Sequence, residues 1–109
     1  MDYKYDFSIK QVGKWRMFRF SEENSLIEYM FDDMQSFSSP IFYEYFNKVL
    51  DGSSEKESIG GNMVYLEIGK NFTNIGLGFT DEVQAECFNT VDLKSIIMKW
   101  IDLNKELFR

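Results

Sequence analysis

The sequence predicts an α+β fold: a mainly antiparallel sheet of about six strands with two helices packed on it, in the order βββαβββα. Three observations predict it. Six short stretches separate their side chains with the period of two that a strand imposes. Two others, Ile41 to Leu50 and Leu93 to Leu107, carry apolar residues at helical spacing. The links between them are short, which favours antiparallel neighbours, because a parallel pair needs a long crossover. A chain of 109 residues makes one domain, residues 1–109, that buries roughly two thirds of its unfolded surface.

In chain order, Tyr5, Phe7 and Ile9 alternate with Asp6, Ser8 and Lys10 as a half-buried strand, and Val12-Gly13 turns it. Trp15 to Asp33 then reads as a hairpin around which the chain is organised. Its first arm, Lys14 to Phe20, sets Arg16, Phe18 and Phe20 against Trp15, Met17 and Arg19. Its second arm, Leu26 to Phe31, sets Ile27, Tyr29 and Phe31 against Leu26, Glu28 and Met30, and Ser21 to Ser25 is the polar loop between them. Asp32-Asp33 ends that arm, with the two side chains on opposite faces. Ser39-Pro40 announces a helix, serine as cap and proline in the first turn, with Phe42, Tyr45, Phe46, Val49 and Leu50 on its apolar side.

Ser53 to Gly61 has no structural period and reads as an ordinary connection or a mobile binding loop. Met63 to Ile68 is a strand with Val64, Leu66 and Ile68 on one side, and Gly69-Lys70-Asn71 turns it. Asn74 to Thr80 is another, with Ile75, Leu77 and Phe79 facing away from Gly76 and Gly78. A glycine-faced strand marks a bend or a close approach by something else. Asp81-Glu82 reverses the chain and Val83 to Phe88 is a short strand. The last helix opens on Thr90 as cap, with Asp92 near the positive end of its dipole. Leu93, Ile96, Ile97, Trp100, Ile101, Leu103 and Leu107 form its stripe.

The composition, 44% hydrophobic and 17% aromatic with one proline, is that of a globular chain. The charge is segregated. Residues 1–20 hold five bases and two acids, residues 21–92 hold three bases and fourteen acids, and residues 93–109 hold four bases and two acids, for a net −6. Such a balance opposes direct binding to nucleic acid or to an anionic membrane and favours a cationic partner. With no histidine, the commonest general base and metal ligand is missing. No phosphate- or dinucleotide-binding glycine loop occurs, and Ile75-Gly76-Leu77-Gly78 reads as strand packing. Cys87 has no second cysteine and reads as a small buried side chain of a cytoplasmic protein. The start lacks the apolar run of a signal peptide, so Asn71-Phe72-Thr73 reads as a turn rather than a glycosylation site. Trp15 and Trp100 read as core anchors. No catalytic, cofactor or metal set emerges.

Four stretches carry a resemblance: Lys14-Trp15-Arg16-Met17-Phe18-Arg19-Phe20, Tyr29-Met30-Phe31-Asp32-Asp33-Met34, Leu66-Glu67-Ile68-Gly69 and the closing Leu93 to Leu107 helix. Together they resemble small bacterial immunity proteins of contact-dependent growth inhibition and other polymorphic toxin systems, in outline over nearly the whole length. The resemblance implies a cytoplasmic, non-enzymatic inhibitor whose partner is the C-terminal domain of a cognate toxin. Such domains are commonly nucleases, often acting on tRNA, with a basic substrate groove. The residues expected to meet it follow from charge: Glu22, Glu23, Asp32, Asp33, Glu55, Glu57, Asp81, Glu82 and Glu86. Two other readings stay open. One is an acidic interaction module or nucleic-acid mimic that sequesters another basic protein; the other is a small enzyme using carboxylates.

Overall fold

Gly13 adopts φ +61°, a left-handed conformation that suits glycine, and so lets Gly13-Lys14 close a tight turn between two strands. These are β1 (Phe7–Val12) and β2 (Trp15–Phe20), paired antiparallel from Phe7↔Phe20 to Val12↔Trp15. The computed structural model describes residues 4–78 and 85–108. After β2 come a 3₁₀ turn (Glu22–Asn24), α1 (Ser25–Phe37) and α2 (Tyr43–Leu50). Then follow β3 (Lys56–Gly60), β4 (Val64–Gly69), β5 (Phe72–Leu77), β6 (Ala85–Asn89), α3 (Thr90–Asn104) and a closing 3₁₀ turn (Lys105–Leu107). The fold is α+β with six antiparallel strands among the described residues, but they form two sheets, β1-β2 and β3-β4-β5-β6. Among the described residues the order is ββααββββα, with three α-helices rather than two.

The extra helix is α1, where the sequence predicts the second arm of a hairpin. A strand over Leu26–Phe31 leaves Leu26 and Met30 on the face of Glu28. A helix instead gathers Leu26, Ile27, Met30, Phe31 and Met34 on one side, and all five are buried. Burial of the whole set decides between two periods that fit six residues equally well. The helix ends on Ser38 at φ 53°, where Ser38 N–H donates to Gln35 O and Ser39 N–H to Met34 O, a left-handed cap on a residue other than glycine.

The first of the two expected helices forms as α2 with Phe42, Phe46 and Val49 buried, but starts at Tyr43, since Ser39-Pro40 is followed by a turn in which Tyr43 N–H donates to Pro40 O. The aperiodic stretch Ser53 to Gly61 contains β3, paired from Lys56↔Gly69 to Gly60↔Tyr65. The expected strand at β4 is present; β5 runs from Phe72 to Leu77 rather than from Asn74, so Phe72 and Thr73 are paired strand instead of turn, and β6 begins at Ala85. Phe79, Thr80, the reversal at Asp81-Glu82 and the pair Val83-Gln84 lie outside the described residues. The last helix is capped one residue earlier than expected: Asn89 Oδ1 accepts from Asp92 N–H at 3.0 Å. Thr90 is buried instead, its hydroxyl donating to Gly69 O and lying 2.8 Å from Thr73 Oγ1.

All three helices pack on the inner face of the four-stranded sheet, presented by Val64, Leu66 and Ile68 of β4, Thr73 and Ile75 of β5 and Phe88 of β6. Trp100 of α3 is the hub of the other half. Its ring stacks on Trp15 at 5.6 Å and meets Phe31 and Phe108, while Phe31 meets Phe18 and Phe20. Asn104, one turn on from Trp100, treats β2 as a neighbouring strand would. Its Oδ1 accepts from Arg16 N–H at 2.8 Å and its Nδ2 donates to Arg16 O at 3.0 Å. Arg16 in turn donates to Leu103 O. No helix among the described residues is long and apolar enough to cross a membrane.

A carboxylate joins α1 to the sheet. Asp33 is only 1% exposed, and it accepts from the backbone N–H groups of Met63, at 2.9 Å, and Val64, at 3.0 Å, in the β3–β4 turn. The turn approaches so closely that a Cβ on Gly61 would collide with Asp33 Oδ2 and come within 3.0 Å of Phe42 Cζ. Asp33→Ala strands two backbone donors and is expected to cost about 2–3 kcal/mol in urea unfolding. Asp33→Asn, which keeps one acceptor, should lose less, and Gly61→Ala should destabilise through the clash. A wild-type midpoint for Asp33→Ala would contradict this role.

Candidate partner-binding surface

The acidic residues nominated from the sequence fall into separate environments, and among the described residues one stretch carries several of them. Glu22 and Glu23 are exposed in the 3₁₀ turn that leads into α1. Negative charge is favoured there by the positive end of the helix dipole. Glu28 and Asp32, four residues apart on α1, point to the same side of it and flank Arg19 of β2. The stretch Glu22 to Asp32 thus holds four carboxylates along one turn-and-helix run, with Arg19 as the cation placed against it.

Geometry makes Arg19 a weak counter-charge. Its Nη1 lies 3.7 Å from Asp32 Oδ1 and 3.9 Å from Glu28 Oε2, beyond hydrogen-bond distance in both cases, and its nearest acceptor is its own strand's Phe18 O at 3.4 Å. Glu28 is partly committed elsewhere, since its Oε1 accepts from Phe20 N–H at 2.9 Å and fixes the end of β2 on α1. Among the described residues Asp32 makes no such bond. Burial pushes its pKa up, Arg19 pulls it down by less, and Glu28 and Asp33 add to the rise. Asp32 is therefore a half-buried carboxylate with more desolvation than pairing.

The other nominated residues lie apart from this run. Asp33, next in sequence to Asp32, points the opposite way into the core and is consumed by the β3–β4 turn, so it is unavailable to a partner. Glu55 is exposed just before β3. Glu57 and Glu86 sit opposite Ile68 and Ile75 and hence on the inner face of β3 and β6, the two outermost strands of the described four-stranded sheet. Two intervening strands separate them by roughly 14 Å. Charges directed inward on outermost strands discourage pairing with another chain's strand. Asp81 and Glu82 lie outside the described residues.

Sequence reasoning missed Glu28 and Arg19. The available signal was the four-residue spacing of Glu28 and Asp32, which becomes meaningful only once the segment is helical. Cys87, expected inside, is exposed on the outer face of β6. A shallow depression of about 380 Å³ between α2 and α3 is lined by Tyr43, Met98, Ile101, Asp102 and Lys105. It brings one carboxylate and one ammonium to an apolar floor.

NMR titration of the side-chain carboxyls should place Asp32 above and Asp51 below the ordinary aspartate value. Asp51 is lowered by hydrogen bonds from Ser53, whose N–H donates to Asp51 Oδ1 at 2.8 Å. The signs differ in their effect on folding. Asp51 stabilises the fold above its unfolded pKa and loses that contribution as the pH falls through its lowered folded value. Asp32 is best tolerated below its unfolded pKa and costs stability as the pH rises through its raised folded value. Asp32→Asn should therefore raise the unfolding midpoint slightly at neutral pH, with the gain vanishing in acid; a loss at neutral pH would show that Arg19 pairing dominates. No family model, curated protein or solved structure matches the chain, so its functional reading rests on the arrangement of its own residues.

Proposed function

We propose that the chain is an immunity protein that binds the C-terminal domain of a cognate toxin, a basic nuclease, in the cytoplasm and neutralises it without performing chemistry. The Glu22–Asp32 run lies over the toxin's substrate groove and takes the place of phosphates. The observation that carries this reading is Asp32: half-buried, raised in pKa, and held beside a guanidinium that does not hydrogen-bond to it. A free chain gains nothing from such an arrangement. A partner arginine that donates two bonds to Asp32 supplies the missing compensation. Glu22 and Glu23 lie at the solvent-exposed rim, where charge speeds encounter more than it holds the complex.

The test is capture of a partner from the native host by the tagged chain, followed by titration of that partner's nuclease activity. A basic one-to-one partner whose cleavage stops at equivalence is expected. Recovery of the chain alone, or of a partner that remains active at equivalence, overturns the reading. A basic partner without nuclease activity would instead favour sequestration of another protein.

Two variants separate the roles of the charges. Reversal of both Glu22 and Glu23 to lysine should slow association about tenfold at low ionic strength, and the difference should shrink as salt is added. Asp32→Asn should leave the fold intact and speed dissociation, costing on the order of 2 kcal/mol of affinity. Because the partner favours ionised Asp32, binding should weaken as the pH falls through the raised pKa of that residue. Unchanged rates in all these variants would remove the run from the interface.

A further inference from the structure

The helices leave the other side of the four-stranded sheet uncovered. Its register places Gly60, Tyr65, Gly76 and Ala85 in one row across all four strands. Tyr65 thus stands between two glycines, 44% exposed, and Phe72 projects from the same face, 61% exposed. Glycine weakens a strand, and among the described residues nothing asks for it at Gly60: a Cβ there would meet Tyr65 Cδ2 at an ordinary 3.6 Å, and the backbone is not left-handed. The relief is that of two aromatic knobs beside shallow hollows.

Charge on this face differs from charge on the rest of the chain. Among the described residues of this face the charged side chains are Lys56 and Glu67, 3.0 Å apart and both accessible, so together they add no net charge in a chain of net −6. Because this cation and anion already pair with each other, a second copy of the same face meets no net charge there, whereas the acidic remainder of the chain repels its own copy. An isologous contact requires one patch to carry both halves of every fit, here knobs with hollows. The outermost strands offer a poorer route, because strand addition there brings a new chain alongside Glu57 or Glu86.

We propose that the outer face of the four-stranded sheet, centred on Tyr65 and Phe72, is a two-fold self-association surface that stacks on the same face of a second copy of this chain. The two sheets lie about 10 Å apart, with each Tyr65 over a glycine hollow of the other copy. The acidic run on α1 belongs to the helical side and stays open, so the dimer presents two partner-binding surfaces. This goes beyond the immunity reading and stands independently of it.

Sedimentation equilibrium of the purified full chain, with no partner present, tests the proposal. The expected result is a concentration-dependent rise to twice the mass of the chain. Tyr65→Glu should weaken self-association about 30-fold, the effect of losing a central aromatic anchor, with an unchanged circular dichroism spectrum. Phe72→Ser is a second, independent variant that should weaken it in the same direction. Ile9→Ser, on the exposed strand β1 of the other sheet, should leave it unchanged. A monomer at every concentration overturns the proposal, as does a dimer indifferent to both Tyr65→Glu and Phe72→Ser. A monomer in which Tyr65→Glu abolishes capture of the basic partner also overturns it and assigns the face to that partner.

Discussion

The buried carboxylate of Asp33 is the constraint on which the arrangement depends. Two backbone donors of the β3–β4 turn, Met63 N–H and Val64 N–H, have their acceptor on a helix rather than in the sheet. That choice fixes α1 against the sheet at one point and one distance. The absence of a side chain at Gly61 allows the approach, and Phe42, just before α2, closes the same contact from the other side. Once α1 is set by Asp33, its rotation is set as well. Leu26, Ile27, Met30, Phe31 and Met34 face the core, and Glu28 and Asp32 can only face outward beside Arg19. An acid that holds backbone donors in the core and an acid that faces Arg19 at the surface thus occupy consecutive positions because a helix rotates about 100° per residue.

The second attachment is at the opposite end of the chain. The β1-β2 sheet has two strands, too few to be stable by itself. It is held because Asn104 supplies both a donor and an acceptor to Arg16 and because Trp15 stacks on Trp100. Tyr5 adds another tie, its hydroxyl accepting from Asn89 N–H at the start of α3. Residues nearly the whole length of the chain apart therefore close the structure. This explains why aromatic residues are so frequent here: rings from β2, α1 and α3 fill the space between a small sheet and the helices, each burying more apolar surface than an aliphatic side chain.

Much of the fold was legible in the sequence because most elements carry only one workable period. The stripe of Leu93 to Trp100 fits no strand, and Val64, Leu66 and Ile68 fit no helix. Leu26 to Phe31 was misread because apolar residues at adjacent positions satisfy both templates over six residues, and the deciding residue, Met34, lies beyond the apparent break at Asp32-Asp33. An acidic pair looks like a terminus when both members are assumed to need water. Asp33 shows otherwise, and nothing local reveals it, since its partners are thirty residues away. β3 was illegible for a related reason. Lys56, Glu57 and Ser58 lack an apolar alternation because an outermost strand is covered on little more than one side, and its pairing with β4 replaces the missing burial.

The same physics limits what charge along a sequence says about a site. The excess of acids between residues 21 and 92 is real, yet the fold divides it by purpose: Asp33 is spent on backbone donors, Glu28 is half spent on Phe20 N–H, and Glu57 and Glu86 lie at the margins of a sheet. Along the run into α1 that leaves Glu22 and Glu23 exposed, Asp32 half-buried, and the second oxygen of Glu28 facing Arg19. Surface glutamates in a turn cost little to keep, so Glu22 and Glu23 alone are ordinary. Asp32 is different, because a carboxylate that has lost water without gaining a hydrogen-bonded cation is a standing penalty to the free chain. Asparagine at that position removes the penalty at once and keeps the shape. Under the proposed function a partner cation that hydrogen-bonds to Asp32 would remove this penalty, which Arg19, 3.7 Å away, does not.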